Sequence, residues 1–124
     1  MAAKPAVEIS CGLALEFVEA FEKMMEAAYR INEAHGWHNP APTDGEAVAL
    51  VHTEASEIME YLRQGVETPD DKIPPYRGVE AEGADVVIRL MSWYRRRHWD
   101  LANAIVEKMR YNAQRPYRHG NKAL

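Results

Sequence analysis

Two acidic pairs constrain this chain more than any other feature: Glu54-Ala55-Ser56-Glu57 and Glu82-Gly83-Ala84-Asp85, each with carboxylates three residues apart. Residues at i and i+3 share one face of a helix, and both pairs lie within stretches of helical apolar spacing. On a helical projection Leu50, Glu54, Glu57 and Tyr61 fall within about 60° of one another. Around Glu82, Val86, Arg89 and Trp93 lie within about 40°, with Asp85 about 60° to one side. The carboxylates therefore border the apolar stripes, whereas a solvated acidic face would sit opposite them. If the two helices face each other, four acids converge, and each uncompensated carboxylate costs roughly several kcal/mol of desolvation. A hard, oxygen-ligated cation such as Mg²⁺ or Mn²⁺ is the natural compensation.

The remaining pattern is helical as well. From about Leu13 to Ala34 the residues Leu13, Phe17, Ala20, Phe21, Met24, Ala27, Ala28 and Ile31 recur at three- and four-residue steps, which predicts a long amphipathic helix ended by Gly36, Pro40 and Pro42. Thr43-Asp44-Gly45-Glu46 fits a capping box that opens a second helix running to about Gln64, with Gly65 as its stop. After an irregular loop rich in Pro and Asp, a third helix runs from about Gly78 into Arg95-Arg96-Arg97. Asp100 is the expected N-cap of a fourth helix to about Gln114, on which Lys108, Asn112 and Arg115 share a stripe with Leu101, Ala104 and Ile105. Residues 1–9 are expected to be a loose start and 116–124 a basic tail. No strand-like alternation or repeat occurs, so the expected fold class is all-α, a four-helix bundle in one domain over residues 1–124.

The charge is divided along the chain. Residues 1–85 hold 6 Lys/Arg against 17 Asp/Glu, a balance of −11, while residues 86–124 hold 9 against 2, or +7. A cation-binding half joined to an anion-binding half suits a metal-bound polyphosphate, although a basic C-terminal segment also fits nucleic acid. No apolar run approaches the length of a membrane span and the start lacks a signal peptide's apolar stretch, so a cytoplasmic, membrane-free protein is expected. The single cysteine, Cys11, can form neither an internal disulfide nor a cysteine metal site and reads as a buried hydrophobe.

Several metal chemistries are disfavoured by what is missing. No histidine follows an acid at the Glu-x-x-His spacing of di-iron bundles, and HExxH, P-loop and GxGxxG motifs are absent. All-oxygen ligation points to Mg²⁺ or Mn²⁺, the usual companions of phosphate esters.

The pattern Glu54-x-x-Glu57, a spacer of 24 residues, then Glu82-x-x-Asp85 resembles the signature of the MazG-like all-α nucleoside triphosphate pyrophosphohydrolases. The stretch Lys108-x-x-x-Asn112-x-x-Arg115-Pro116-x-x-His119-Gly120 adds to the resemblance, which covers roughly Trp37 to Lys122 and is to the short, single-domain form also found in phages. Gly83 departs from it, since a helix former is more usual there, at a propensity cost of about 1 kcal/mol.

The resemblance implies hydrolysis of a nucleoside triphosphate between its α and β phosphates, releasing a monophosphate and pyrophosphate. Glu54, Glu57, Glu82 and Asp85 would hold two or more Mg²⁺ or Mn²⁺ ions, and Glu54 or Glu57 would take the proton of the attacking water. Lys108, Asn112 and Arg115 would hold the departing pyrophosphate, and His119 and Lys122 would close over the phosphates or remain a loose tail. Trp37 and His38 would stack on the base, or Trp37 would plug the end of the bundle. Asn32 and Asn39 read as turn caps or base-edge readers, and Trp93 and Trp99 as core or interface residues. A homo-oligomer, dimer or tetramer, is implied. A purine such as dGTP or GTP is the guessed substrate. The alternatives are a house-cleaning or (p)ppGpp hydrolase of the same fold and a non-catalytic helical nucleic-acid-binding module.

Overall fold

The computed structural model describes residues 7–121 and 123, the side chains of His119 and Asn121 excepted. The expectation for residues 1–6 and the role given to Lys122 lie outside them. Among the described residues the secondary structure is helical without strands: α1 (Cys11–Ala34), α2 (Asp44–Gln64), α3 (Gly78–Arg96), α4 (Leu101–Ala113) and a single turn, α5 (Arg118–Asn121). The all-α class and the four main helices expected from the sequence are therefore present. No helix among the described residues is long and apolar enough to cross a membrane.

Local chemistry sets the boundaries. Thr43 caps α2: its hydroxyl accepts from the Glu46 amide at 3.1 Å, and the Glu46 carboxylate accepts from the Thr43 amide at 3.2 Å. This reciprocal arrangement satisfies two amides that a helix start otherwise leaves open. At the other end Gly65 takes a φ of 130°, which a side chain would disfavour, and its N–H returns to the Tyr61 carbonyl. Asp100 caps α4 through the Asn103 amide at 3.1 Å.

The contacts divide the chain into two compact units. One joins the N-terminal part of α1 with α4 and α5. Here Phe17 and Phe21 stack at 5.1 Å, Ala102 and Val106 are buried, and the Arg110 guanidinium donates to the Ile9 carbonyl at 2.9 and 3.3 Å. The segment before α1 is thus tied to α4 by a charge-assisted bond. The buried face of α4 also differs from the expected one: Ala104, Lys108 and Asn112 are exposed and Arg115 is half-buried.

The other unit is Met24–Trp99, in which α2 and α3 pack along their length. Their close approach at one end depends on Gly78, where a Cβ would fall 2.1 Å from the Tyr61 ring. The loop between them is held by its own hydrogen bonds and ion pairs. Asp70, 4% exposed, accepts from the Lys72 and Ile73 amides at 2.9 and 2.8 Å and from the Tyr61 hydroxyl at 3.4 Å. Pro69 and Arg77 form a single antiparallel bridge, and Arg77 pairs with Glu67 and Glu80. On α1 the buried residues of this unit are Met25 and Ala28, whereas Met24 and Ile31, expected on the covered stripe, are exposed. Ala28, also on that stripe, is buried, and Met25 lies about 100° round from Met24, so the covered face is rotated toward Met25 and the Met24–Ile31 edge is left exposed.

Candidate metal centre

The acids of α2 and α3 meet because these two helices pack side by side. Glu54 projects from α2 and is 6% exposed; Glu82 and Asp85 project from α3, Glu82 at 9% exposed and Asp85 half-buried. One carboxylate oxygen from each of the three lies within 4.8 Å of the others. Glu57, one turn after Glu54, is exposed and faces Glu82.

Electrostatics at the cluster is unfavourable to the bare carboxylates. Burial pushes the Glu82 carboxyl up to about 7, helped by the neighbouring Glu57, Asp85 and Glu54. Burial and Glu54 also raise Asp85, opposed by Lys72 and Arg89. Glu82 Oε2 is buried and has no hydrogen-bond partner. A buried carboxylate oxygen with nothing to accept from is costly, and a divalent cation bound by oxygen would satisfy it. The donor set fits Mg²⁺ or Mn²⁺: carboxylates only, from two rigid helices, with no sulfur or imidazole in the cluster. A resident positive group is already present, since Arg89 Nε and Nη2 donate to Glu54 Oε1 at 2.9 and 2.8 Å.

Glu54 and Asp85 of the cluster line a cleft of about 600 Å³ within the Met24–Trp99 unit. Glu57 and three cations, Lys72, Arg89 and Arg96, line it with them. Elsewhere the lining is aromatic and apolar: Trp37, His38, Trp93, Leu50 and Ile88. Trp37 is 67% exposed, which rules it out as a plug of the core, and the His38 ring stacks on Tyr29 at 4.6 Å. His38 Nε2 approaches the Tyr29 carbonyl at 3.3 Å, while Nδ1 is buried without a partner. Asn32 Nδ2 donates to the buried Ser92 hydroxyl at 2.8 Å, and both residues line the cleft. Trp93 also belongs to the cleft wall, with Nε1 donating to Asp44 at 2.9 Å and its ring edge-on to Tyr94 and Trp99.

The structure thus brings Glu54, Glu57, Glu82 and Asp85 together, with Trp37 and His38 on the same cleft. Lys108, Asn112 and Arg115 belong to the other unit, where Lys108 and Arg115 lie over the Tyr111 ring at 5.3 and 5.7 Å. His119 is on α5 with its side chain outside the described residues. Sequence reasoning gave no site role to Lys72, Arg89, Arg96 or Ser92. Arg89 had a signal, since it follows Asp85 by four residues and Glu82 by seven, on the same face. Lys72 had none, because a loop has no periodicity to read.

Comparison with protein-family models, with curated proteins and with solved structures gives no match for this chain.

Proposed function

We propose that this chain is a Mg²⁺- or Mn²⁺-dependent nucleoside triphosphate pyrophosphohydrolase of the MazG-like kind, cleaving between the α and β phosphates. The observation that carries the reading is the buried, unpartnered Glu82 oxygen in a cluster with Glu54 and Asp85, two acids that line a cleft large enough for a nucleotide. Cleft chemistry agrees with the substrate class, since acids, cations and aromatic rings all line the one cleft.

Glu54, Glu82 and Asp85 would supply the metal's oxygen ligands, with Glu57 completing the set or acting as base. A cation held there would supply neutralisation of triphosphate charge and a more acidic water. Glu57, exposed at the cleft and one turn from Glu54, would accept the attacking water's proton. The water oxygen bonds to the α phosphorus, the bond from that phosphorus to the bridging oxygen breaks, and pyrophosphate leaves with the electron pair. Lys72 and Arg96 meet phosphate oxygens from the cleft wall, while Trp37 offers an exposed ring to the base. Lys108, Asn112, Arg115, His119 and Lys122 remain candidates for the pyrophosphate end on the resemblance alone. A homo-oligomer is part of the proposal, supported by the exposure of Leu13, Leu15, Met24 and Ile31 along α1.

The test is product analysis on a panel of ribo- and deoxyribonucleoside triphosphates with Mg²⁺, Mn²⁺ or EDTA. Monophosphate and pyrophosphate in equal amounts, with metal and not with EDTA, are expected, purines being the first substrates to try. Release of orthophosphate instead, or no metal dependence, contradicts the reading.

A further inference from the structure

Arg89 is a cation fixed on a candidate metal ligand. It lies on α3 one turn beyond Asp85, and its Nε and Nη2 donate to the same oxygen of Glu54, Oε1, at 2.9 and 2.8 Å. Glu54 is buried, but the Arg89 side chain is 43% exposed and lines the cleft. Glu54 is also one of the three acids whose oxygens lie within 4.8 Å of one another. Oε1 already accepts two guanidinium N–H groups and has little lone-pair density left for a metal, so a cation that takes both oxygens of Glu54 competes with Arg89, and the guanidinium charge opposes a divalent cation at either oxygen. The neighbouring Glu82 Oε2, buried and without a partner, shows that Arg89 compensates only one side of the cluster.

We propose that Arg89 is a resident counter-ion of the metal-free site, which competes with a divalent cation for Glu54 and gives up Oε1 when the cation takes that oxygen. This inference rests on the metal reading of the acidic cluster. Arg89 is built for displacement, having a long stem, a half-exposed head and the cleft beside it to swing into. Its effect is to raise the metal concentration at which the site fills. It is a positioning residue, acting through Glu54.

A permanent structural ion pair and a displaceable counter-ion predict effects of opposite sign. Cutting a structural pair leaves Glu54 misplaced and weakens metal binding, whereas removing a competitor strengthens it. The experiment titrates Mn²⁺ alone into EDTA-stripped, full-length protein by calorimetry, comparing wild type with Arg89→Gln, Arg89→Lys and Arg30→Gln. Arg30 pairs with Glu26 at the surface and serves as a control for the same loss of charge. Charges of +1 and +2 about 5 Å apart in a water-like medium repel enough to change affinity about tenfold. Arg89→Gln should therefore bind Mn²⁺ about tenfold more tightly, Arg89→Lys should tighten by less, and Arg30→Gln should stay within about twofold of wild type. Unchanged or weaker binding in Arg89→Gln, or equal tightening in Arg30→Gln, overturns the proposal while leaving the metal site standing. Absence of Mn²⁺ binding in every protein overturns the site and this proposal together. Should Arg89→Gln not fold, Arg89→Lys decides by itself: tightening supports displacement and its absence refutes it.

Discussion

Replacing Glu82 with Gln should make the metal-free protein more stable at neutral and alkaline pH, although Glu82 is a central acid of the proposed site. The Glu82 carboxyl is 9% exposed, and burial with its acidic neighbours moves its titration from an ordinary 4.5 to about 7. Below pH 4.5 the group is neutral in both the folded and unfolded chain and has no effect. Between 4.5 and about 7 the unfolded chain releases the proton and the folded chain keeps it, so stability falls as pH rises. Above that window the loss is complete and amounts to about 3 kcal/mol. Glutamine is neutral throughout and nearly isosteric. Urea unfolding in EDTA across this pH range is the assay. The variant should match wild type near the acid end and exceed it by about 3 kcal/mol at about pH 8, which is roughly 1 to 2 M in urea midpoint. Added Mn²⁺ should then stabilise wild type and leave the variant almost unmoved. Parallel stability curves, or a variant less stable than wild type at alkaline pH without metal, would refute the argument.

Two other perturbations test how the site is held. Gly78→Ala sets a methyl 2.1 Å from the Tyr61 ring at the α2–α3 approach, and should cost about 1 to 3 kcal/mol in denaturant unfolding. Asp70→Ala removes the acceptor for the Lys72 and Ile73 amides, so Lys72 loses its place on the cleft. KM for the triphosphate should rise roughly several-fold with kcat less affected, as expected for a group that positions substrate rather than reacts.

How far the sequence could be read follows from which constraints were local. The starts of α2 and α4 were visible because a capping threonine or aspartate acts within one turn, and the end of α2 because Gly65 adopts a positive φ. The meeting of Glu54, Glu82 and Asp85 was visible because i, i+3 spacing on an apolar stripe leaves one direction to point. Reading failed where a helix carries more apolar residues than one partner covers. On α1 the stripe through Met24, Ala28 and Ile31 is flanked by Met25 about 100° from Met24, and only packing chose to bury Met25 and Ala28 and expose Met24 and Ile31. On α4 a similar rotation left Lys108 and Asn112 exposed with Ala104, although the spacing placed them beside the core. Lys72 depends on a loop shaped by Asp70, Tyr61 and the Pro69–Arg77 bridge, contacts that join residues far from helical register.

The central claim is that Glu54, Glu57, Glu82 and Asp85 form a divalent-cation site, and calorimetric titration of Mn²⁺ into EDTA-stripped wild type and Asp85→Asn protein tests it most directly. Saturable binding by wild type, weakened at least about tenfold in a variant that retains its helical circular dichroism, is the predicted result. Equal affinity in the two proteins, or no saturable binding by wild type, would contradict it.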